Sequence, residues 1–95
     1  MTTKTLIVLS RPGCVQCNAT YRALDKKNLT YSVQDALTDE NRAITARFNI
    51  KTAPVVLVMQ GGEILEAWGG FRPDRIGAYA ADPEAAHAGE ESLAA

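Results

Sequence analysis

Apolar positions along this chain gather in short blocks of two kinds. Thr5-Leu6-Ile7-Val8-Leu9 and Val55-Val56-Leu57-Val58-Met59 are nearly continuous apolar runs rich in β-branched residues. Such runs suit strands buried on both faces. Tyr31-Ser32-Val33 alternates instead, so residues 30–35 read as a further strand. After the strand that opens at Pro54, Gln60-Gly61-Gly62-Glu63 supplies a hairpin turn, and Ile64-Leu65-Glu66-Ala67-Trp68 returns as its antiparallel partner.

Between these blocks the spacing is helical. From Cys14 to about Lys27, Val15, Ala19, Tyr21, Arg22, Ala23 and Leu24 mix as expected of a helix resting on a sheet. Lys26 and Lys27 place cations near its negative pole, and Asn28 can take a left-handed cap. Thr38 caps a second helix with Asp39 and Glu40 in its first turn, and Ile44 and Phe48 fall four apart on one face. Residues 49–53 connect it to the next strand. Pro73 suits the first turn of a last helix that runs through Ile76 to about Ala80. The order βαβαββα, with crossovers first and a hairpin last, predicts an α/β fold: a four-stranded mixed sheet flanked by three helices.

Composition narrows the setting. Ninety-five residues with 46% hydrophobic content predict one small domain, placed at residues 1–81. Beyond it, residues 82–95 are rich in Ala, Gly, Glu and Ser without apolar periodicity, and a mobile acidic tail is expected there. The net charge of −1 is unevenly spread: residues 1–81 hold all ten Lys and Arg against seven acids, while the tail holds Asp82, Glu84, Glu90 and Glu91. A mildly basic body does not argue for nucleic acid, which calls for a clustered basic face, but it is compatible with an acidic partner surface. No apolar run approaches membrane-spanning length, and Met1-Thr2-Thr3-Lys4 opens no signal peptide. A cytoplasmic monomer without membrane attachment is the expectation.

The chemistry lies in the only two cysteines, Cys14 and Cys17, set as Cys-Val-Gln-Cys after the first strand and the breaker Arg11-Pro12-Gly13. The first turn of a helix has backbone N–H groups without intrahelical partners and the positive end of the macrodipole, so it favours a thiolate at Cys14. The thiolate is the form that attacks disulfides. Cys17, three residues on and on the same face, can then displace Cys14 from a mixed disulfide. A structural bridge across two intervening residues would constrain little chain entropy. A zinc site lacks ligands, since His87 is the one further candidate. A soft-metal carrier also places such a pair after a first strand, but with two strands between its helices, where this chain has room for residues 30–35 only. The favoured use is thiol–disulfide exchange with no bound metal or organic cofactor. Arg11, Pro12, Val15 and Gln16 shape the surroundings of the pair, and Tyr21, Asp25 and Asp35 are candidates for tuning it.

The dithiol, together with Thr52-Ala53-Pro54 opening the third strand, resembles the thioredoxin superfamily, whose proteins carry a cis proline beside the Cys pair. The resemblance assigns that role to Pro54. On position alone, a trans proline at a strand's first residue is equally open. Within the superfamily the chain is most similar to the NrdH redoxins, glutaredoxin-like proteins that supply electrons to class Ib ribonucleotide reductase. The matching segments are Cys14-Val15-Gln16-Cys17-Asn18-Ala19-Thr20, Ala53-Pro54-Val55-Val56 and Trp68-Gly69-Gly70-Phe71-Arg72-Pro73-Asp74, within a resemblance over about residues 5 to 80. The family usually has Ser where this chain has Gly69, which predicts a looser loop there.

The resemblance also bears on the electron donor. Ordinary glutaredoxins hold glutathione with a cation near the Cys pair, the backbone beside the cis proline, and a turn of small and acidic residues opening the last helix. Arg11 and Pro54 match the first two. At the third, Gly70-Phe71-Arg72-Pro73-Asp74 places a bulky ring and a cation, and Pro73 lacks an N–H. Weak glutathione binding is therefore expected. The resemblance implies thioredoxin reductase as donor and the class Ib ribonucleotide reductase large subunit as acceptor. Trp68, Phe71 and Arg72 are residue types enriched at interface hot spots, so Trp68 to Asp74, with Ala53, forms the candidate docking segment. The alternative is a Trp68 that packs the sheet.

Overall fold

Successive side chains of a strand point to opposite faces, and this alternation sorts the core of the protein. The computed structural model describes residues 3–88. In β1 (Thr5–Ser10), Leu6 and Val8 face one side. They pack with Val56 and Val58 of β3 (Val55–Gln60), Trp68 of β4 (Glu63–Gly69), Leu24 of α1 (Val15–Lys26), and Ile76 and Tyr79 of α3 (Pro73–Ala80). Ile7 and Leu9 face the other side with Val55, Leu57, Met59, Ile64 and Ala67, against Ile44 of α2 (Asp39–Arg47). Two helices thus cover one face and one covers the other.

The sheet order is β2-β1-β3-β4, with β2 (Tyr31–Asp35) parallel to β1 and with β3 antiparallel to both β1 and β4. The two central strands are the two continuous apolar runs, and the alternating strand β2 lies at an edge, with each of its residues after Tyr31 exposed. This is the βαβαββα arrangement that the periodicity predicts, a thioredoxin-like fold, and it has the single strand between α1 and α2 that a soft-metal carrier domain would not. Helix ends follow local chemistry. Asn28 has φ 58° after α1, and the Thr38 hydroxyl accepts from the Asn41 N–H at 3.1 Å to open α2. Among the described residues no helix is long and apolar enough to cross a membrane.

Register places the site. Leu9 pairs with Val55, Ser10 with Asp35, and Val55 with Gly69. The ends of β1, β2 and β4 and the start of β3 therefore meet at one edge, and the loops that leave there converge.

The expected boundary after residue 81 is corrected by the packing at the opposite edge. Ala85 and Ala86 are buried, Lys4 bridges to Ala85, and Leu29 bridges to His87. The Ala86 N–H donates to the Lys4 carbonyl at 2.9 Å, and the Thr30 N–H donates to the Ala86 carbonyl at 3.0 Å. Small side chains and backbone pairing attach residues 82–88 without needing apolar periodicity, which is why the sequence pattern did not reveal the attachment. The rest of the expected tail, 89–95, lies outside the described residues.

Candidate active site

Gly13, with φ 68°, turns the chain out of β1, and Cys14 follows in extended conformation as the N-cap of α1. A Cβ is disfavoured at such a positive φ, so glycine suits the turn. The Cys17 N–H donates to Cys14 Sγ at 3.1 Å, as a capping side chain would accept it. Cys14 and Cys17 are joined as a disulfide with Cα atoms 5.2 Å apart. Their exposure differs. Cys14 is half-buried at the surface, while Cys17 is 1% exposed and belongs with Thr20 and Leu24 to the face of α1 turned to the core. Thr20 secures that face by donating its hydroxyl to the Gln16 carbonyl at 2.9 Å.

The loop before β3 lies beside the pair. The Ala53–Pro54 peptide is cis, as the resemblance implied for Pro54. The Gly70 N–H donates to the Pro54 carbonyl at 2.8 Å, and the Phe71 N–H donates to Gln16 Oε1 at 3.0 Å. Gln16, inside the Cys-Val-Gln-Cys turn, thereby ties the start of α1 to the segment that opens α3. Gly70 has φ 80°, and a Cβ there would come within 2.9 Å of Gln16 Oε1.

Two expectations for this segment are corrected. Trp68 is 4% exposed and packs in the core with Leu6, Val8, Val56 and Ile76, so its ring offers no contact surface to a partner. Burial of a large apolar ring outweighs its availability for docking. Gly69 is not a loose point: it pairs with Val55, and the space a side chain would take is occupied by the Ile50 methyl and the Thr52 carbonyl. Phe71 remains exposed. Arg72 is exposed but engages Asp74 through two hydrogen bonds, Nε to Oδ1 at 3.0 Å and Nη2 to Oδ2 at 2.8 Å. That hydrogen bonding holds Asp74 below the usual carboxylate range.

A groove of about 350 Å³ opens at the disulfide, between Arg11–Gln16 on one side and Lys51–Ala53 on the other. Arg11, Pro12, Val15, Gln16 and Ala53 thus gather around Cys14. Lys51 was missed, although its place two residues before Ala53 in the Thr52-Ala53-Pro54 loop was a usable signal. Tyr21 and Asp25 do not join the site. Tyr21 stacks on Tyr31, and the Tyr31 hydroxyl donates to Asp25 at 2.8 Å. Burial and that carboxylate push the Tyr31 hydroxyl up to about 12. Asp35 stands at the site edge, where it accepts from the Leu37 N–H at 2.8 Å.

Known proteins share this arrangement. The sequence profile of the glutaredoxin family matches residues 2–64. The glutaredoxin-like protein NrdH of Salmonella typhimurium is 32% identical over 84 residues, covering 87% of this chain and 98% of that protein. The solved structure of the glutaredoxin-like NrdH-redoxin of Escherichia coli, described as having a thioredoxin-like activity profile, superimposes with a TM-score of 0.63 at 28% identity, over 78% of this chain and 92% of that one. Thioredoxin f2 of Chlamydomonas reinhardtii, 17% identical, shares the fold with a TM-score of 0.62 over 82% of this chain and 76% of that one. A paired-cysteine turn of this kind on this fold serves thiol–disulfide oxidoreduction, and the chain belongs to the glutaredoxin family, among its NrdH-type redoxins.

Proposed function

We propose that the Cys14–Cys17 pair carries electrons in the cytoplasm from thioredoxin reductase to the large subunit of class Ib ribonucleotide reductase. The observation that carries this reading is the unequal exposure of the two sulfurs at the mouth of a groove. In the reduced protein, the Cys14 thiolate attacks one sulfur of the substrate disulfide. The substrate S–S bond breaks, a mixed disulfide forms on Cys14, and the departing substrate thiolate takes a proton from water. Cys17 then gives up its proton and attacks Cys14 Sγ. The internal disulfide closes, and the second substrate sulfur leaves as a thiolate and is protonated. Two electrons and two protons have passed to the substrate. The reductase dithiol returns them by the same steps in reverse.

The segment opening α3 supports a protein donor over glutathione. The Gly70 N–H is bonded to Pro54, the Phe71 N–H is bonded to Gln16, and Pro73 has none. These backbone donors are spent within the protein. Val15, next to Cys14, and Phe71, next to Gln16, are exposed apolar side chains suited to a protein surface. In this reading Ala53 and Gly69 to Asp74 frame the docking surface, with Trp68 supporting it from the core. The test is NADPH oxidation in a disulfide-reduction assay run with thioredoxin reductase and, in parallel, with glutathione plus glutathione reductase. Turnover is expected with thioredoxin reductase. Turnover with glutathione alone would make the protein a glutathione-dependent glutaredoxin.

A further inference from the structure

The groove at the disulfide continues into a second depression of about 120 Å³. Arg11, Lys51, Thr52 and Ala53 line both, and the second extends to Arg42 and Thr45 of α2. No acidic residue lines either depression. Lys4, Arg72 and Arg75 each meet a carboxylate and Arg47 lies over the Phe48 ring, whereas Arg11, Arg42 and Lys51, like Arg22, Lys26 and Lys27 in and after α1, have no such partner among the described residues; what sets the first three apart is that they line one continuous concave surface. All three are exposed. The one acid in a depression shared with Arg11 is Asp35, which accepts the Leu37 N–H at Oδ1, keeps its negative charge, and lines neither the groove nor the second depression.

Cations of one sign along a concave surface raise the local concentration of negative partners and their rate of encounter. The floor between them is partly apolar, with Ala36, Ile50 and Val55. We infer that this cationic strip selects the substrate: an extended peptide segment that carries Asp or Glu a few residues from its disulfide and lies from Cys14 toward Arg42. The inference rests on the redox reading above and adds the chemical class of the protein substrate.

The experiment uses the pre-reduced full chain and three synthetic peptides of equal length with the same internal disulfide, flanked by Glu, Gln or Lys. Second-order rates of reduction are measured at about 20 mM and about 300 mM salt, with oxidised glutathione as a small acidic comparator. The Glu peptide is expected to react about tenfold faster than the Lys peptide at low salt. The preference should fall toward parity at high salt, where the screening length drops to several ångströms. Charge reversal in the Arg42→Glu, Lys51→Glu double variant should invert the preference, an outcome unfolding cannot produce. Arg22→Glu, an exposed change on α1 outside these depressions, should leave the preference in place and so separates local from net charge. Equal rates for the three peptides at low salt, or a preference untouched by reversal, would overturn the inference alone. Oxidised glutathione reacting faster than the Glu peptide would do the same, by assigning the cations to a small acid. Failure to reduce any peptide would overturn the redox reading with it.

Discussion

Cys14 and Cys17 are chemically identical residues whose difference comes from one turn of helix. Cys14 precedes α1 and sits at its capping position, where its sulfur accepts the Cys17 N–H. Cys17 falls three residues on, in the row with Thr20 and Leu24 that the helix presents to the core. A sulfur in that row reaches only its neighbour, and a sulfur at the cap reaches solvent. Cys17→Ser should therefore leave a Cys14 that can attack but not be resolved. The expected outcome is a covalent adduct with a disulfide substrate, visible by mass spectrometry and released by a reductant. Recovery of free Cys14 with no adduct would reverse or abolish this division of labour.

At the scale of elements, the corner between β4 and α3 is locked both to the dithiol turn and to Pro54, just before β3. Two bonds do this, Gly70 N–H to the Pro54 carbonyl and Phe71 N–H to Gln16 Oε1. The lock depends on a residue without a side chain, because position 70 combines φ 80° with no room beside Gln16 Oε1. Gly70→Ala should cost about 1–2 kcal/mol from the left-handed backbone alone, read as a lower midpoint in urea unfolding. It should also slow protein disulfide reduction, since Gln16 has to move and release Phe71. Unchanged stability would mean that the corner adapts freely and that its geometry does not constrain the site.

At the scale of the whole molecule, the edge opposite the site is closed by residues 82–88. Lys4 Nζ meets Asp82 Oδ2 at 2.6 Å and Glu84 Oε1 at 3.7 Å, and the Tyr79 hydroxyl donates to the Lys4 carbonyl at 2.9 Å. Its hydrogen bond with Lys4 lowers Asp82 from 3.8, and the same bond raises Lys4 from 10.5. The sign follows for each group. Stabilisation through Asp82 is present above 3.8 and is lost as pH falls through its lowered folded value; stabilisation through Lys4 is present below 10.5 and is lost as pH rises through its raised value. Asp82→Asn should lower the urea midpoint at pH 7, and the gap to the parent protein should shrink as pH is taken down below 3.8. A gap that stayed constant over that range would remove the charge from the account.

The order of elements, the dithiol at the head of a helix, the Thr38 cap and the place of Pro54 were legible in the sequence. They depend on period, on capping chemistry and on neighbours a few residues away. What only the tertiary structure decided involves residues far apart in the chain. The burial of Trp68 follows from the pairing of β4 with β3, the filled space at Gly69 from Ile50, and the bond between Gln16 and Phe71 from register across 55 residues. Lys51 reaches the disulfide groove, and Arg42 the depression that continues from it, because α2 and its exit loop pack on the sheet face that carries Leu9 and Val55. Residues 82–88 attach by backbone pairing, which carries no hydrophobic signature. Local chemistry writes its pattern into consecutive residues, whereas contacts made by folding leave no spacing to read.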